Sequence, residues 1–162
     1  MEWYKQVSVM TEPKSKPRRP SRKARLIASR LAAVQCIYQM ALSGLDEREV
    51  YQDYVERRMG REMEGDNYVP ADLELLSKIL DGVSANRNVL NDMIIGALNT
   101  KKPEPLLQSI LFCGMFELMS HTDIDAPVII NDYVNVTHGF FDQKEADLVN
   151  AVLDRQAKNL RS

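Results

Sequence analysis

Only two of the 162 residues are cysteine, and they stand 77 positions apart at Cys36 and Cys113. Two histidines, His121 and His138, form no cluster with them. That spacing matches no zinc motif, so no metal is expected and both cysteines read as buried free thiols in a reducing cytoplasm. No apolar run approaches the ~20 residues needed to span a bilayer. The N-terminus also lacks the continuous apolar stretch of a secretory signal. Gly-rich phosphate loops, G-x-S-x-G and paired His-x-x-x-His or Glu-x-x-His motifs are all missing. An enzyme needs a nucleophile, a tuned acid–base group or a bound cofactor, and nothing here supplies one. We therefore expect a non-enzymatic protein without a cofactor. Alternating strand patterns and internal repeats are absent too, which leaves an all-α chain.

The content that remains is that of an ordinary globular domain, 44% hydrophobic and 27% charged. The net charge of −2 conceals a split. Lys14, Lys16, Arg18, Arg19, Arg22, Lys23, Arg25 and Arg30 fall between residues 13 and 30 with no acid among them. Without those eight, 13 bases face 23 acids, so the body carries −10. A basic arm on an acidic body suits a polyanionic partner; a merely solubilising tail is the plainer reading. Pro13, Pro17 and Pro20 favour an extended arm over residues 1–20, followed by one helical domain over 21–162. Trp3 and Tyr4 have no evident core partner.

Ser21 is a plausible N-cap for a long helix ending at Gly44, with Ile27, Leu31, Val34, Tyr38 and Leu42 along one stripe. Asp46 and Glu49 open a second helix that Gly60 can stop, followed by a loop over Arg61–Val69. Pro70-Ala71-Asp72 opens a third, from Leu73 to Leu98, either one helix or two bent near Gly82–Asn88; the pattern favours one. A segment from Glu104 to His121, apolar nearly all round, predicts a buried hub. Pro127 suits the start of the next helix, Gly139 its end, and a last helix runs from near Asp142 to Leu160.

His121 at a helix end suits the dipole. Glu117 among Phe116 and Leu118 predicts a buried donor partner, while Asn131 and Asn150 inside apolar stripes predict bonded amides, since an unpaired buried amide costs roughly 1–3 kcal/mol. Single-stranded RNA is held by cations on phosphates and planar groups on splayed bases. If roughly four arm residues neutralise phosphates, log K falls by ~2.8 per decade of salt.

Three blocks resemble one family. The stretch Pro127–Leu153, PVIINDYVNVTHGFFDQKEADLVNAVL, is similar to the C-terminal hallmark of the NusB family of bacterial transcription antitermination factors. Ser29–Ser43, SRLAAVQCIYQMALS, resembles its first helix, and Ile110–Leu118, ILFCGMFEL, its central one. They occur in the family's order and cover about Ser29 to Lys158.

The resemblance implies about seven helices in two packed bundles. It also implies binding of boxA-like RNA together with the ribosomal protein NusE, within a transcription elongation complex on ribosomal RNA operons. The implied RNA surface comprises Arg18, Arg19, Arg22, Lys23, Arg25, Arg30, Tyr38, Phe140 and Asn150. Phe140 either stacks on a base or staples two helices, whereas Phe141 reads as core. The helix facing NusE is implied to present Leu107, Gln108 and Leu111. Departures stand at Leu31, Leu107, Gln108 and Phe112, where the family often carries polar or charged groups, and at Asp147, where a base is usual. Two other classes remain: a helical adaptor or homodimer working through protein contacts, and a fragment of a ribosomal RNA methyltransferase.

Overall fold

The computed structural model describes residues 20–63, 69–98 and 102–161, and every described element is a helix. They are α1 (Arg22–Ser43), α2 (Glu47–Met63), α3 (Leu73–Ala85), α4 (Arg87–Leu98), α5 (Pro105–Ser120), α6 (Ala126–His138) and α7 (Gln143–Leu160). Trp3, Tyr4, the arm through Arg19 and the loop around Gly65 lie outside the described residues.

Local chemistry sets most boundaries. Ser21 Oγ accepts the Ala24 N–H at 3.0 Å, satisfying one orphan donor of α1. Gly44, at φ 76°, returns its N–H to Met40 O, a left-handed cap that a side chain would strain. Asp46 Oδ1 accepts from Glu49 N at 2.9 Å, and Asp72 Oδ1 from Leu75 N at 3.1 Å.

Two expected boundaries differ. α2 runs through Gly60 to Met63, because a helical glycine costs only about 1 kcal/mol against alanine and terminates nothing by itself. The single helix expected from Leu73 to Leu98 is broken at Asn86. There the side-chain Nδ2 and the backbone N–H both donate to Gly82 O, at 2.8 and 3.1 Å, and Asn86 O already accepts from Leu90 N. A short amide that competes for backbone partners ends one helix and starts the next.

α1, α2 and α3 pack together; α4, α5, α6 and α7 form a second group; and α1 and α3 join the two by packing on α5. Every residue from Leu107 to Leu118 is buried, which makes α5 the hub that its all-round apolarity implied. α1 is long and apolar enough, by length and composition, to cross a membrane. Its Ala33, Val34 and Ile37 lie instead in the core, where a fully buried Val or Ile side chain contributes about 1.5–3 kcal/mol.

Candidate nucleic-acid interface

Arg22, Lys23 and Arg25 are exposed in the first turn of α1, which carries no acid. Cations there oppose the helix macrodipole, by roughly 0.3 kcal/mol or more each, so helix stability does not account for them. Arg25 approaches Asp72 at 3.8 Å in a partly buried pair. Arg18 and Arg19 lie outside the described residues.

Arg30 does not belong to this basic face. It is 1% exposed, on the α1 stripe that also carries Val34 and Ile37. Its guanidinium donates twice to Glu117, Nε to Oε2 at 2.8 Å and Nη2 to Oε1 at 2.9 Å, and once to Asp132 Oδ2 at 2.9 Å. Tyr133 OH donates to Glu117 Oε2 at 2.5 Å, and His121 Nδ1 lies 2.9 Å from Oε1. The fork thus ties α1 to α5 and α6 with bidentate geometry. Burial alone pushes the Glu117 carboxyl up, but its bonds to His121, Arg30 and Tyr133 outweigh that and hold it below the usual range. Asp132 goes the other way: burial and the Glu117 charge raise it against Arg30 and Lys23. The expected partner of Glu117 is therefore Arg30, and its place inside an apolar stripe was the signal that could have found it.

Leu107, Gln108 and Leu111 likewise present no docking face. They are 7%, 8% and 0% exposed, and Gln108 Nε2 donates to Asn91 Oδ1 at 3.2 Å. A helix packed on every side has no free face for these residues.

Along α6 and α7 runs a groove of about 800 Å³, to which α1 contributes Lys23. Asn131 on α6 and Asn150 on α7 line it, both exposed and neither with its side-chain amide hydrogen-bonded to a described residue. The expectation of bonded amides inside apolar stripes fails for both, because Ile129, Ile130, Val149 and Val152 take the inward positions. Lys158 pairs with Asp154 at 3.1 Å on the rim. Arg161, unnoticed in the sequence, holds the end of α5: its guanidinium donates to Leu118 O, Ile124 O and His121 O at 3.0, 2.6 and 2.9 Å.

The groove therefore brings Lys23 and Asn150 together. Tyr38, half-buried, lines a different groove between α1 and α2 with Gln39, Tyr54 and Arg57. Phe140 stands 43% exposed after α6, with Phe141 packed on the core.

The model of the NusB family matches residues 27–158. The chain belongs to the NusB family. Its relatives include the transcription antitermination protein NusB of Rhizobium rhizogenes, 40% identical over 138 residues, covering 83% of this chain and 86% of that one. The protein of the same name from Agrobacterium fabrum is 38% identical over 151 residues, covering 90% and 92%. The fold is that of NusB in a crystal structure of the antitermination factors NusB and NusE with dsRNA, at TM-score 0.70 and 21% identity over 82% of this chain and 96% of that one. NusB of T. maritima matches at TM-score 0.67 and 20% identity, covering 91% and 96%. Among the described residues of this NusB-family chain, no group of three or more His, Cys, Asp and Glu is placed to hold a metal ion. Cys36 and Cys113 are buried and unpaired, with burial pushing the Cys36 thiol up to about 12.

Proposed function

We infer that this chain is a transcription antitermination factor that binds unpaired boxA-like RNA with NusE and supports processive transcription of ribosomal RNA operons in the cytoplasm. The observation that carries this is a cluster of exposed cations at the start of α1, unfavourable for its own helix, beside a groove that shares Lys23. Its relatives bear the name of that function. Arg18, Arg19, Arg22, Lys23 and Arg25 attract the phosphates, while Tyr38 and Phe140 offer planar faces for bases and Asn150 a polar contact. The chain acts by assembling a ribonucleoprotein complex; no bond is made or broken. NusE docks on residues other than the buried Leu107, Gln108 and Leu111.

A gel shift tests the arm. Changing Arg18, Arg19, Arg22, Lys23 and Arg25 together to Ala should abolish binding of a boxA RNA at low salt. Retained, salt-insensitive binding would refute the role of these cations. Capture of NusE that strengthens when the RNA is added tests the partnership.

A further inference from the structure

Asn131 and Asn150 come from two helices, line one groove, and leave their side-chain amides without a partner among the described residues. An exposed amide contributes little to the fold, so stability does not explain two of them in one groove. The groove, about 800 Å³, is in the size range of small-ligand sites. Pro127 and Val134 supply apolar lining, and Lys23 and Lys158 bring cations to it. An amide carries paired donor and acceptor functions, the chemistry that reads a base edge. A purine presents two separate polar edges, Watson–Crick and Hoogsteen, whereas the edge of a pyrimidine is essentially one-sided. Amides from two walls match the purine.

We propose that this groove is a purine-reading pocket: an unpaired purine of the bound RNA lies on its apolar lining, Asn131 and Asn150 address its polar edges, and Lys23 and Lys158 hold the adjoining phosphates. The proposal rests on the RNA-binding reading above and adds to it Asn131, Lys158 and a base preference. The Lys158–Asp154 pair is solvated, 77% and 53% exposed at the side chains, so it yields to phosphate at little cost.

The test uses two twelve-nucleotide RNAs, one of uridines alone and one with adenosine at every third position. They are titrated by fluorescence anisotropy against the full chain and its N131A, N150A and K158A variants. Both asparagines are exposed, so these variants keep the fold. The unaltered chain should bind the adenosine-bearing strand about tenfold more tightly or better. N131A and N150A should each lose that preference with the salt slope unchanged. K158A should keep it and lose about 0.7 of the slope. Equal affinity of the unaltered chain for the two strands, or full preference in N131A, overturns the pocket. Absence of binding to either strand at low salt sinks the RNA reading as well.

Discussion

Replacing Arg30 with Ala is expected to damage the fold rather than nucleic-acid binding. Arg30 satisfies both oxygens of Glu117, whose side chain is 0% exposed, and one of Asp132, whose side chain is 6% exposed. Removing the cation leaves two buried carboxylates without their shared guanidinium, with only His121 and Tyr133 bonded to Glu117 and the more distant Lys23 charge acting on Asp132. Breaking a buried pair from one side costs about 3–5 kcal/mol. At roughly 2–4 °C per kcal/mol for a chain of this size, the melting temperature should fall by about 6–20 °C. Circular dichroism melts of the unaltered chain, R30A, E117Q and R30A/E117Q supply the measurement. Because the two groups act on each other, the double variant should lose clearly less than the sum of the singles. R30A melting within ~2 °C of the unaltered chain, with the salt slope of RNA binding reduced by ~0.7, would refute the structural role and make Arg30 a phosphate ligand.

Urea midpoints across acid pH should separate the two carboxylates. Glu117 is held below its ordinary 4.5, so its stabilisation is present above that pH and fades as pH falls through its lowered value. E117Q should therefore be less stable at neutral pH and show a flatter acid limb. Asp132 is raised from 3.8, so folding favours its protonated form and the ionised form is a burden at neutrality; D132N should melt at or above the unaltered chain near pH 7. In G82A, a Cβ would sit 1.9 Å from Phe116 Cζ. That clash, at about 1–3 kcal/mol, outweighs the gain of up to ~1 kcal/mol in helix propensity, so the melt should drop. Cys36 and Cys113 should react with a thiol reagent only after denaturant is added, because burial raises both thiols.

How much of this was legible depends on the distance between partners. The caps at Ser21, Gly44, Asp46 and Asp72 were readable because each is closed within about one turn. The hub character of α5 was readable because no polar face interrupts Leu106–Met119. The break at Asn86 fell within the bend that the sequence allowed near Gly82–Asn88. The apolar stripe runs through both helices and favoured one, although the Asn86–Gly82 bonds that make the break are as local as the caps. Leu107, Gln108 and Leu111 were placed on a partner face by resemblance, against the all-round apolarity of their own helix, and the apolarity prevailed.

The sequence by itself determined an all-helical chain, most helix boundaries though not the break at Asn86, an uneven charge distribution and membership of the NusB family, because periodicity, capping and motif order are local or linear properties. Only the tertiary structure decided that Arg30 leaves the basic arm for Glu117, 87 positions away, and that Asn131 and Asn150 face one groove. Helical pitch fixes which side of a helix a residue occupies. Which neighbour covers that side, and hence whether a charge is a ligand for solvent or a clamp in the core, is set only when the helices pack.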